Sequence, residues 1–61
     1  MIYIRTSHSG YVTIHKNHRP PSKEWTLTEF DNRDGERVFE YRSQNPMSGS
    51  IVTFVEVKLQ D

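Results

Sequence analysis

The chain contains no alanine, and leucine occurs only at Leu27 and Leu59. The residues that form helices most readily are therefore missing, while Ile, Val and Thr recur throughout. Alternation agrees with this bias toward strands. Ile2, Ile4 and Thr6 point one way, with Tyr3 and Arg5 opposite. Val12 and Ile14 share a face, with Tyr11, Thr13 and His15 on the other. Trp25, Leu27 and Glu29 alternate with Thr26, Thr28 and Phe30, and Phe39 and Tyr41 alternate with Val38, Glu40 and Arg42.

Turn chemistry separates these runs. Ser7-His8-Ser9-Gly10 closes a first hairpin, and the Asp34-Gly35 pair lies between two alternating stretches, a strong hairpin signal. Asn45 to Ser50 makes the last turn. His18-Arg19-Pro20-Pro21-Ser22 is the longest irregular piece, because adjacent prolines do not fit a central strand. The pattern predicts strands at 2–6, 11–16, 24–30, 37–42 and 51–59 in one all-β domain. The expected architecture is a five-stranded antiparallel meander, curled into a small open barrel or half-sandwich. An alternative at 22–30 is a short helix over Lys23 to Phe30 with Ser22 as N-cap, against which Thr26, Thr28 and the Trp25/Leu27 spacing argue.

Length narrows the function classes. A chain of 61 residues sits near the lower limit for independent folding and buries roughly 60% of its unfolded surface. Without cysteine it has no disulfide, thiolate catalysis or Cys-based zinc site. Its seven aromatic side chains and balance of eight basic and eight acidic residues set it apart from disordered chains. Met1 to Arg5 has no signal-peptide pattern, and the run Ile51 to Leu59 is too short and polar to span a bilayer, so a cytoplasmic location is expected.

That last run is two-sided. Ile51, Val55, Val57 and Leu59 lie together and are expected to form one side of the core. Val52 and Phe54 face the other way, and burying each is worth about 1.5–3 kcal/mol. A loop, a neighbouring strand, another copy of the chain or a different protein is expected to cover them. Phe54→Asp is then expected to disrupt partner binding while leaving β-type circular dichroism intact.

Searching for chemistry turns up little. His15 and His18 lack the companions a zinc site needs, and His8 lies in a turn, so all three are read as surface histidines and no metal or cofactor is expected. Glu40, Arg42 and His15 are residue types found in small ribonuclease sites, but Glu40 and Arg42 read more simply as a solvated strand row. No nucleophile elbow or phosphate-cradling glycine loop is present, and a pocket of roughly 300 Å³ or more is hard to carve from so short a chain. No catalytic residue is expected.

Two binding readings remain. Tyr3, Arg5, Tyr11 and His15 on one hairpin face, with Lys16, His18, Arg19 and Lys23 as a basic rim followed by Trp25, suggest a stacking platform for single-stranded nucleic acid. The zero net charge weighs against it. Protein–protein contact, including homo-oligomerisation, accounts better for the small size and the two-sided last run. Its candidate contacts are Tyr3, Arg5, Tyr11, Arg19, Trp25 and Phe54, residue types favoured at interface hot spots. In size alone the chain compares with short regulators and inhibitors of bacteria and their viruses.

Overall fold

The alternating runs become strands in the computed structural model, which describes residues 1–45, 47 and 49–57. These are β1 (Ile2–Thr6), β2 (Val12–His15), β3 (Trp25–Asp31), β4 (Arg37–Ser43) and β5 (Ile51–Val57). They form one antiparallel sheet in the order β2-β1-β5-β4-β3. The all-β, five-stranded antiparallel reading therefore holds, and the sheet is open rather than closed into a barrel. Residues 21–24 bend and the chain is extended from Trp25 onward, so the helix alternative gives way to a strand. Lys58 and Leu59, expected to prolong β5, lie outside the described residues. No helix among the described residues is long and apolar enough to cross a membrane.

The order is that of a meander joined at its ends and opened between β2 and β3. Tight turns make β1–β2 and β3–β4. In the first, Ser7 N–H donates to Tyr11 O at 2.8 Å and Gly10 takes φ +93°, a conformation glycine adopts without a Cβ clash. In the second, Asn32 Oδ1 accepts from the N–H groups of Asp34 and Glu36 at 3.0 and 2.9 Å. The connection between β2 and β3 carries Pro20-Pro21 and cannot join a ladder. It crosses one face of the sheet as a strap over residues 16–24, leaving β2 and β3 as edges. β1 pairs with the side of β5 not taken by β4.

The core lies on the Val52/Phe54 side of β5 and not on the Ile51/Val55/Val57 side where the sequence placed it. Tyr3, Phe39, Tyr41, Val52 and Phe54 form the core on one face, with Trp25 packed against them. Phe54, expected to need a cover from a loop, a strand or a partner, is 2% exposed within the single chain. Register explains this: Phe54 stands opposite Phe39, and Val52 opposite Tyr41. The rings of Tyr3 and Phe39, and of Tyr41 and Phe54, meet edge to face at 5.8 and 5.9 Å.

His18 holds the strap over this layer. Its ring stacks on Phe39 at 3.9 Å and 11°, and meets Tyr3 edge-on at 5.3 Å. Its Nδ1 shares a 2.8 Å hydrogen bond with the Tyr41 hydroxyl. His18 was expected at the surface; it is instead the half-buried pin of the connection, because the strap lies along the aromatic face and its histidine reaches the Tyr41 phenol inside. Burial, with the Glu29 carboxylate adding to it, raises the Tyr41 phenol above its ordinary value of 10.0.

Linkage gives that shift a sign. The folded chain favours the neutral phenol, so this contribution is complete below the unfolded value near 10 and is lost as pH rises through the folded one. Denaturant titrations across alkaline pH should show stability falling above pH ~10. Tyr41→Phe should flatten that decline while lowering neutral-pH stability by about 1 kcal/mol, through the lost hydrogen bond. An unchanged alkaline slope in the variant would assign the decline to other groups.

Candidate interaction surfaces

Among the described residues, the face opposite the aromatic core has no second layer. Across it, register aligns Ile14 with Ile4, Ile4 with Val55, Val55 with Val38, and Val38 with Phe30. This apolar row therefore runs through every strand of the sheet. Ile2 and Val57 stand beside it, one pair further along. Val38 is buried at 6% exposure because its neighbours in the row flank it. The ends are open: Ile14 is 73% and Phe30 42% exposed, and Val12 on the same face is 63% exposed. A polar row borders it, where Thr6 pairs with Thr53 and Glu40 with both Thr53 and Thr28. Arg42 then bonds Glu40 at 2.6 Å.

The alternation in the sequence placed each of these residues on one side of its strand, and Val55 and Val57 were expected in the core. The signal that separates the faces is ring content, since Tyr3, Phe39, Tyr41 and Phe54 all fall on one of them. Large rings pack against each other and against the strap, whereas among the described residues no loop crosses the Ile14–Ile4–Val55–Val38–Phe30 row. Neither face is mainly polar, and a sheet is stable in water when its apolar faces are covered.

The expected site residues divide. Tyr3 and Phe54 are core, and Trp25 is half-buried at its margin. Of the stacking platform, Tyr3 is therefore withdrawn from solvent, while Tyr11 remains 74% exposed. The β1–β2 hairpin does place Tyr3 opposite His15 and Arg5 opposite Thr13, on the face away from the Ile4 row. His15 Nε2 and Thr13 Oγ1 lie 2.8 Å apart in a hydrogen bond. Lys16, Arg19 and Lys23 are exposed along the strap. His15 and the Glu40–Arg42 pair occupy opposite faces, so the ribonuclease-like set does not assemble. His8 stays in its turn, and no cluster of three or more His, Asp or Glu occurs among the described residues.

On the strap side there are two larger clefts. One, of about 450 Å³, lies between the strap and the β1–β2 hairpin and is lined by Arg5, His15, Asn17 and Arg19, with Phe54 and the two strap prolines. The other, of about 440 Å³, is lined by Asp31, Gly35, Arg37, Phe39 and Glu56. Its charges are compensated, with Arg37 bridging Asp31 at 2.9 Å and Glu29 at 3.6 Å.

No protein-family model matches the chain, and no curated protein or solved structure is significantly similar to it. Its own surfaces are therefore what bear on function.

Proposed function

We propose that the protein is a non-catalytic binding module that works through protein contacts, and that its partner on the open sheet face is a second copy of itself. The supporting observation is the apolar row Ile14–Ile4–Val55–Val38–Phe30, uninterrupted by a charge across the sheet. An apolar stripe of this kind on a small domain marks a contact surface rather than a solvated one.

Size and shape favour a second copy as the occupant. Five strands at a spacing of about 4.8 Å and a rise of about 3.3 Å per residue give a face of roughly 24 by 20 Å. With side-chain relief, that footprint reaches the low end of stable interfaces, about 600–800 Å² per partner. Two such faces pack as an aligned β-sandwich about 10 Å apart, turning two one-sided sheets into a layered core. A two-fold axis lets each row meet its own equivalent, and the Thr rows and the Glu40–Arg42 pair fall at the rim. Association also offsets the marginal burial of a chain of this length.

Sedimentation over a concentration series, with Ile14→Glu as the variant, tests the reading. Ile14 is largely exposed in the single chain, so the substitution should leave folding within about 0.5 kcal/mol. It should weaken the dimer by about 2 kcal/mol or more, roughly thirtyfold in Kd, because an unpaired carboxylate enters the interface. A wild-type chain that stays monomeric at about 1 mM, the weak end of the affinity scale, would remove the second copy as partner.

A further inference from the structure

The cleft between strap and hairpin is open on the side away from the Ile4 row, so it is independent of self-association. We propose that it binds the phosphate group of a ligand of nucleotide size. The observation that carries this is Arg5. Its guanidinium belongs to a half-buried residue, yet among the described residues it has no carboxylate and no hydrogen-bond acceptor. Arg37 and Arg42, with side chains 48% and 63% exposed, are both paired. Of the three arginines without a partner among the described residues, Arg19 and Arg33 are exposed and Arg5 alone is half-buried, the opposite of what desolvation alone favours.

The surroundings supply more donors of the same kind. Arg19 and Asn17 face Arg5 and His15 from the strap wall of the same cleft. A smaller cleft of about 260 Å³ shares His15, Asn17 and Arg19 and adds Lys16. Among the described residues no acid lines either space. The carboxylate on this face of β5, Glu56, belongs to the other large cleft with Arg37. Local charge is therefore strongly positive on a chain whose total is zero.

Two guanidinium forks on opposite walls suit an anion with oxygens on several sides. A tetrahedral phosphate offers these, whereas a planar carboxylate is satisfied by a single fork. The volume of about 450 Å³ exceeds what one phosphate needs and falls within the range of small-molecule sites. Pro20-Pro21 stiffens the strap wall, and His18 anchors it beside them, so little ordering remains to be done on binding.

A ¹H–¹⁵N NMR titration with pyrophosphate, adenosine 5′-monophosphate, adenosine and a short single-stranded oligodeoxynucleotide tests this. The three phosphate-bearing probes should shift Arg5, Asn17 and Arg19 saturably, and adenosine should not. Arg19→Ala, on an exposed strap residue, should weaken binding about tenfold or more without altering the spectrum of the sheet. Arg5→Ala should do the same, with wild-type circular dichroism as the folding control. An oligonucleotide bound more tightly than the mononucleotide, with affinity falling steeply in salt, would identify a nucleic-acid strand as the source of the phosphate. Equal affinities would identify a free phosphate ester. Absence of saturable shifts, equal binding of adenosine, or unchanged affinity in both arginine variants would overturn the site. Using Ile14→Glu for the same titration separates this outcome from self-association, since that substitution lies on the far face.

Discussion

Phe54→Ala is expected to cost the protein about 3–5 kcal/mol, a large share of its whole stability. The side chain is 2% exposed, stands opposite Phe39, and touches the rings of Tyr41, His15 and His18. Truncating a core phenylalanine costs about 3–5 kcal/mol. At about 0.05–0.15 kcal/mol per residue, the whole stability of 61 residues amounts to about 3–9 kcal/mol. The loss therefore removes from about a third of the total at its upper end to all of it at its lower end. Phe54→Asp should be worse, since a carboxylate would enter the aromatic layer without a partner. Far-ultraviolet circular dichroism and urea titration decide the matter. Retained β structure in Phe54→Asp would return Phe54 to the contact role that the sequence alone suggested.

The second large effect belongs to His18→Ala. It removes the stack on Phe39, worth about 0.5–1.5 kcal/mol, and leaves the Tyr41 hydroxyl without its partner at about 1–3 kcal/mol. Together these lower stability by about 2–4 kcal/mol. The effect should be concentrated in the strap. Amide exchange and protease cleavage over residues 16–24 should rise more than in β4 and β5, because the remaining strap contacts are few. His18→Phe separates the two contributions, keeping the stack and losing the Tyr41 bond. A stability change under about 0.5 kcal/mol in His18→Ala would mean that the strap is held by other contacts.

These two residues show where sequence reading succeeded and where it stopped. Period-two alternation and turn chemistry located all the strands, because each depends on neighbours within a few residues. The first hairpin was legible to the level of faces: Tyr3, Arg5, Thr13 and His15 do share one side. The core was placed on the wrong side of β5, since alternation states that Phe54 and Val55 point apart but not which side carries the core. His18 looked like an ordinary loop histidine because its partners Phe39 and Tyr41 lie more than twenty residues away. Of the cleft, the sequence offered Arg5 and His15 as platform residues and Lys16 and Arg19 as basic rim, but not Asn17 or the proline wall that complete it.

Local physics is thus written directly in the chain. Missing alanine, β-branched alternation, Asp34-Gly35 and Pro20-Pro21 determine that the protein is a β-sheet with one long irregular connection. What only the tertiary structure decided is the path of that connection and the docking of β1 on β5. Once the strap crosses the aromatic side, those rings become the core and the Ile14–Ile4–Val55–Val38–Phe30 row is left open. The reason is geometric: one strap of 16–24 can cover one face of a sheet, and its choice between faces depends on contacts between residues far apart in sequence.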